Sequence, residues 1–206
     1  MRLLLVEDHA ELAEWVGRSL RQAGFVLDVL GRGDHADQAL RTERYDLVIL
    51  DLSLPGMGGI ELTRRILQRQ PEACILAFSM HRDPLYAAQA VRAGALGYVT
   101  KSSSPDVLIQ AVYKVARREK VLSPDIAPEM ALTLLEGSSN PADELNPREF
   151  EILRLLLDGL GAEEIGKLLN LSPKTVQNAH YQIKAKLGVR SDMELARLAM
   201  KLKLIG

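Results

Sequence analysis

The sequence predicts an α/β domain, a five-stranded doubly wound parallel sheet, followed by a small all-α domain of four helices. Three observations carry this. Up to residue 118, short uncharged apolar runs alternate with segments whose apolar residues recur at helical spacing, the pattern of strands and crossover helices. From Asn146 onward the strand-like runs stop and every segment keeps helical spacing. Between the two, residues 119–145 gather Pro124, Pro128, Pro141 and Gly137-Ser138-Ser139-Asn140, the composition of a linker, with a short helix expected over 126–136. The expected boundaries are therefore 1–118, 119–145 and 146–206.

Each element has its own signal. Arg2-Leu3-Leu4-Leu5-Val6 is a short apolar run ending in Glu7-Asp8. Leu12, Trp15, Val16 and Leu20 then recur at helical spacing as far as Gly24, a helix stop. Residues 26–30 read as a second strand and 34–43 as a second helix. Val48-Ile49-Leu50 is an apolar run of the kind buried on both faces of a parallel sheet, and Asp51 stands at its end. Pro55 with Gly56, Gly58 and Gly59 forces a turn before a helix over 59–69. Residues 73–78 form a fourth strand followed by Ser79, and Pro84 opens a helix over 84–93. Gly97-Tyr98-Val99-Thr100 is the fifth strand, followed by Lys101, and Val107, Leu108, Ala111, Val112 and Val115 stripe the last helix of this half.

The polar residues of interest all lie just past strand ends. On a parallel sheet those ends share one edge, where ligands bind, so Glu7, Asp8, Asp51, Ser79 and Lys101 come to one crevice. Taken alone, Asp51 either terminates a strand or carries chemistry. Three carboxylates together would cost about 4 kcal/mol per like pair at 4 Å and an effective dielectric near 20. Either a carboxyl is protonated more readily or a cation sits among them, and an all-oxygen site suits Mg²⁺. A hydroxyl and an ammonium would then hold the oxygens of a phosphoryl group on Asp51.

These residues resemble a known family. Glu7-Asp8, Asp51 followed by Leu-Ser-Leu-Pro-Gly-Met, Ser79, and Gly97-Tyr98-Val99-Thr100-Lys101 look like the receiver domain, a flavodoxin-like fold, of two-component response regulators. The resemblance implies that Asp51 accepts phosphate from a sensor histidine kinase. It implies that Glu7, Asp8, Asp51 and the backbone carbonyl of Ser53 ligate Mg²⁺. Ser79 and Tyr98 would form a switch pair, and Lys101 would pair with the phosphate. Gly58 departs from the Asp usual in relatives, and Ser102 from an acid common after the lysine.

In the last domain, Asn146-Pro147-Arg148-Glu149 opens a helix with an N-cap, Pro at N1 and Glu at N3. Phe150, Leu153, Leu156 and Leu157 stripe it as far as Asp158-Gly159. Residues 163–169 form a short second helix with Ile165, Leu168 and Leu169 on one side. Ser172-Pro173 opens a third, striped by Val176, His180, Ile183 and Leu187, and a fourth spans 191–202. Two short helices on a tight turn, the second basic, form a helix-turn-helix whose second helix enters the major groove. Leu145-Asn-Pro-Arg-Glu-Phe-Glu-Ile-Leu, Ile165-Gly-Lys-Leu-Leu, Leu171-Ser-Pro-Lys-Thr-Val and Lys186-Leu-Gly-Val-Arg-Ser resemble the LuxR-type DNA-binding domain. A receiver followed by that domain is similar to the NarL/FixJ response regulators.

By that resemblance, Gln177, Asn178 and Tyr181 face bases. Relatives often carry Lys at the first of these and His two residues on; here Gln177 and Ala179 stand there. Gln and Asn grip adenine bidentately, so A·T pairs are expected to be read. Ser172, Lys174, Thr175, Lys184, Lys186 and Arg190 are the expected phosphate contacts. One such module buries too little surface for tight binding, so a homodimer on double-stranded promoter DNA is expected, with Leu195, Leu198, Ala199 and Leu202 as its apolar seam.

Charge agrees with that division of labour. Residues 146–206 hold ten Lys or Arg against seven Asp or Glu, whereas the whole chain carries a net −1. No ten-residue stretch lacks a charge or His, so no membrane-spanning or signal segment is expected, and a cytoplasmic location is. One cysteine, Cys74, excludes an internal disulfide and a multi-cysteine zinc site. Two alternatives stand beside this reading: a phosphorylation-independent DNA binder with a vestigial receiver, and a small α/β enzyme. Against the second, Gly31-Arg-Gly33 lacks the third glycine of a dinucleotide fingerprint and no Gly-x-x-x-x-Gly-Lys occurs.

Overall fold

The computed structural model describes residues 1–128, 130, 131, 141–202 and 204 of the 206-residue chain. It divides into two compact units, Met1–Leu132 and Thr133–Gly206. In the first, β1 (Arg2–Val6), β2 (Val26–Leu30), β3 (Leu47–Asp51), β4 (Ile75–Ser79), β5 (Gly97–Thr100) and β6 (Val121–Leu122) form one sheet. Its order is β2-β1-β3-β4-β5-β6, and every neighbouring pair is parallel. The crossovers are α1 (Ala10–Gln22), α2 (Gly33–Thr42), α3 (Gly59–Arg69), α4 (Pro84–Arg92) and, after β5, α5 (Pro105–Ala116).

Apolar residues fill both faces of the strands, as their unbroken runs require. Leu3, Leu5, Leu47, Ile49, Leu76 and Phe78 pack with Val16 and Leu20 of α1 and Leu108, Val112 and Val115 of α5. The alternate positions Leu4, Val6, Val48, Leu50 and Ala77 are equally buried. The strand order reverses at β1, with β2 on one side and β3 on the other. Connections therefore leave in opposite directions and open a crevice at the carboxyl ends of β1 and β3. Gly59 keeps that crevice shallow: a Cβ there would lie 2.3 Å from the Asp51 carbonyl oxygen, so only glycine lets α3 start against the end of β3.

In this unit two expectations need correction. The sheet has six strands, not five, because Val121-Leu122 of the expected linker pairs with β5. Val121 N–H donates to the Leu96 carbonyl and Ser123 N–H to that of Tyr98. Two residues are too few for a periodicity to show. Beyond them Ile126 and Met130 are buried; residues 127, 128, 130 and 131 are helical, and the rest of the expected 126–136 helix lies outside the described residues. Trp15, expected on the core stripe of α1, is 46% exposed. The buried stripe is Ala13, Val16, Gly17 and Leu20, whose small members let the helix lie close to the sheet.

The second unit holds α6 (Pro147–Leu157), α7 (Ala162–Leu169), α8 (Pro173–Lys186) and α9 (Asp192–Lys201), preceded by a 3₁₀ turn at Pro141–Glu144. Asn146 and Glu149 form a reciprocal capping box at the start of α6. Asn170 takes the left-handed conformation (φ 53°) that ends α7, and the Ser172 hydroxyl caps α8 by accepting the Thr175 N–H. A Cβ at Gly166 would lie 2.7 Å from the Leu171 carbonyl oxygen, so glycine there lets the turn close on α7. Phe150, Ile152, Leu153, Ile165, Leu169, Val176, Ile183, Leu187, Leu195 and Ala199 are buried. Leu156 and Leu157, expected on the α6 stripe, are only half-buried, and Leu168 is 43% exposed. Leu195 and Ala199 are spent on the unit's own core, so of the expected dimer seam only Leu198 and Leu202, both half-buried, stay partly open.

Candidate functional site

At the carboxyl edge of the sheet, the Lys101 ammonium joins two acids that lie far apart in sequence. Its Nζ lies 2.7 Å from Glu7 Oε2 and 2.8 Å from Asp51 Oδ2. All three side chains are nearly sealed from solvent, whereas Asp8 is exposed beside them. Burial pushes the Glu7 carboxyl up and the Asp51 charge adds to this, against the pull of Lys101. Burial would lower the Lys101 ammonium, but the charges of Asp51 and Glu7 outweigh it and hold it above the ordinary lysine value. The other Asp51 oxygen, Oδ1, accepts the Ser53 N–H at 3.0 Å.

Ser79 and Tyr98 lie on the two strands beyond β3, both buried. Ser79 Oγ accepts the His81 N–H at 3.2 Å, and the Tyr98 hydroxyl donates to the His81 carbonyl at 2.8 Å. The loop after β4 thus ties the serine to the tyrosine through the His81 backbone. The Lys101 N–H donates to the Ser79 carbonyl at 2.8 Å, locking the two strand ends together.

The donor set fits a hard divalent cation. Glu7 Oε2 is buried and has no aligned hydrogen bond, despite its closeness to Nζ. Ligand atoms of Glu7, Asp8 and His9 lie within 4.8 Å of one another. Three acids against one lysine leave a formal surplus of two negative charges, which a divalent ion would balance. His9, the exposed residue before α1, offers a ring nitrogen within the same distance.

In the second unit, α8 offers an outward face of Lys174, Gln177, Asn178 and Tyr181, the last 75% exposed. Ser172 and Thr175 hydroxyls are hydrogen bonded to each other at 2.8 Å, and Arg190 is exposed.

Comparison with known proteins gives the same two parts. Residues 3–113 match the model for "Response regulator receiver domain", and residues 143–199 match that for "Bacterial regulatory proteins, luxR family". Response regulator UvrY of Escherichia coli strain K12 is 33% identical over 206 residues, 98% of this chain and 94% of that protein. Response regulator GacA of Pseudomonas viridiflava is also 33% identical, over 98% of this chain and 96% of that one. The chain belongs to the response regulators.

Solved structures agree. RcsB from Salmonella enterica serovar Typhimurium, bound to a promoter in the presence of the phosphomimetic BeF3−, superposes with a TM-score of 0.71 at 25% identity, over 100% of this chain and 99% of that one. A LuxR-family response regulator from Aurantimonas sp. SI85-9A1 is 40% identical, with a TM-score of 0.62 over 65% of this chain and 97% of its own. This response regulator, of the NarL/FixJ family, carries a receiver domain and a LuxR-type DNA-binding domain and regulates transcription. No helix among its described residues is long and apolar enough to cross a membrane.

Some residues around the two sites carry no signal in the sequence. His81 Nε2 lies 3.3 Å from Ser53 Oγ. Asp125, inside the expected linker, accepts the Thr100 hydroxyl at 2.6 Å and lies 3.8 Å from Arg82 Nε. In the DNA-binding domain, Lys184 pairs with Asp192 at 2.9 Å and Lys186 with Glu149 at 2.6 Å. His180, expected as a packed core residue, is partly exposed with its Nε2 2.9 Å from Asp192.

Proposed function

We infer that this response regulator takes phosphate on Asp51 from a sensor histidine kinase, and that the modification controls dimerisation and sequence-specific binding to promoter DNA in the cytoplasm. The observation that carries this is the Lys101 ammonium held between Glu7 and Asp51. It fixes the position of one carboxylate oxygen and would neutralise a phosphoryl group arriving there. Glu7, Asp8, Asp51 and the Ser53 carbonyl are the residues that would hold Mg²⁺, which when bound supplies charge neutralisation for the phosphoryl oxygens. An Asp51 oxygen attacks phosphorus as the bond to the kinase imidazole breaks, giving an acyl phosphate. The added charge of about −1.5 to −2 draws the Ser79 hydroxyl and Lys101 toward Asp51. Because Ser79 and Tyr98 both hold the His81 backbone, that movement reaches Tyr98 and its surroundings.

In the output domain we assign base contacts to Gln177, Asn178 and Tyr181, and phosphate contacts to Ser172, Lys174, Thr175, Lys184, Lys186 and Arg190. The working boundaries are 1–118 for the phosphoacceptor domain, 119–145 for the connector and 146–206 for the DNA-binding domain. Incubation with a small-molecule phosphodonor and Mg²⁺ tests the core of this reading. Wild type is expected to gain one phosphate by mass, to dimerise and to bind its promoter more tightly, and Asp51→Asn to do none of these. Uptake that survives in Asp51→Asn, or DNA affinity indifferent to the phosphodonor in both proteins, sinks it in favour of a vestigial receiver.

A further inference from the structure

The two lysines near the end of α8 are held in different ways. Lys186 reaches Glu149 Oε2 at 2.6 Å, an oxygen that also accepts the Asn146 N–H in the capping box of α6. Glu149 is buried, so that pair belongs to the packing of α6 against α8. Lys184, itself only 22% exposed, meets an acid that is open to solvent: its Nζ lies 2.9 Å from Asp192 Oδ1, on a side chain that is 72% exposed.

Lys184 stands seven residues after Gln177 and three after Tyr181, so it flanks the outward face of the helix. Residues 165–191 contain no acid, and Asp192, the next residue, is the carboxylate that the fold returns to the side of α8. The same Oδ1 lies 2.9 Å from His180 Nε2, a buried nitrogen with no hydrogen bond aligned on it. Lys184 and His180 therefore converge on one oxygen, and Asp192 keeps a neighbour when Lys184 turns away.

We propose that Asp192 is a built-in counter-ion that masks Lys184 and so sets how weakly a single DNA-binding module holds DNA. This rests on the reading of Lys184 as a phosphate-facing cation. A DNA phosphate has to displace the carboxylate from Lys184, and the carboxylate itself repels the phosphate backbone. An ion pair whose acid stands in solvent is weak enough to exchange, and the phosphate gains by releasing counterions. The mask lowers affinity on every sequence alike, because phosphate contacts carry no sequence information. Stable occupancy then needs two modules held together, which is what makes dimerisation decisive.

The test uses the full unphosphorylated chain and a random-sequence duplex, read by fluorescence anisotropy at low salt. Asp192→Asn is expected to bind about 3- to 10-fold tighter, equivalent to about 0.7–1.4 kcal/mol. Lys184→Met is expected to bind more weakly than wild type, and the double variant to match Lys184→Met alone, since without the lysine there is nothing to unmask. Asp192 sits in the first turn of α9, so Asp192→Ser, which keeps a small polar group there, is measured alongside, with thermal melting as the check of folding. If Lys184→Met leaves binding unchanged, the phosphate-facing reading of Lys184 falls and the mask with it. If Lys184→Met weakens binding while folded Asp192→Asn and Asp192→Ser bind no tighter, the mask alone is overturned.

Discussion

A single side chain, Lys101, holds the proposed phosphoacceptor site together. Lys101 is buried between Glu7 and Asp51, and removing one partner of a buried pair typically costs about 3–5 kcal/mol. Lys101→Met is accordingly expected to lower the urea midpoint of the receiver, and Mg²⁺ to recover more of that midpoint in the variant than in wild type. Equal effects of Mg²⁺ on both would show that the acids do not hold the ion. Asp37 gives a pH test away from this site. Burial would raise its carboxyl, but Arg69 at 2.5 Å and Arg41 at 3.1 Å outweigh it and hold it below the ordinary Asp value. A depressed folded-state value means that its stabilisation is complete above the unfolded value of about 3.9 and is lost as pH falls through the folded one. The stability gap between wild type and Asp37→Asn should be flat near neutrality and close in acid. Glu7, Asp51 and Lys101 were legible because each ends an apolar run. Asp125, Asp192 and the pairing of Glu149 with Lys186 were not, because no local pattern marks a contact with another element.

Among the elements, the junction of β3 and α3 bears directly on the site. A Cβ at residue 59 would collide with the Asp51 carbonyl oxygen, so Gly59→Ala is expected to destabilise the receiver by about 1–3 kcal/mol and to slow phosphate uptake. The melting of the DNA-binding domain should not move. On α9 the large apolar residues left exposed are Met193 and Met200, 67% and 61% exposed and two turns apart on one face. We propose that they, rather than Leu195 and Ala199, meet the partner in the proposed dimer. Met193→Asp is expected to weaken dimeric DNA binding without lowering the thermal midpoint; a lowered midpoint would place Met193 in the fold instead. The existence and order of the helices could be read from their spacing, but which face is buried could not always be. Trp15 and Leu168 show why: packing distance, set by small neighbours, chooses between adjacent stripes.

At the scale of the whole molecule, two units with separate cores should unfold separately. Trp15 is the one tryptophan in the chain and lies in α1 of the first unit, so its fluorescence reports that unit alone, while helix circular dichroism reports both. Mg²⁺ with a phosphomimetic such as BeF3− is expected to raise the fluorescence transition, because a ligand stabilises the unit it binds; a fluorescence midpoint that stays put would show that the first unit does not take the ligand.

The sequence by itself determined that this protein joins a parallel α/β domain to a helix-turn-helix, and which acids, hydroxyl and amine end the strands. Such information is local: apolar period, turn residues and the residue after each run are written in consecutive positions. Only the tertiary structure decided that Val121-Leu122 extends the sheet, that Lys101 bridges Glu7 and Asp51, and that Lys184 is shared with an exposed acid while Lys186 is tied to a buried one. Those are facts about distance between residues far apart in the chain, fixed by strand order and helix packing and by no motif that a single stretch contains.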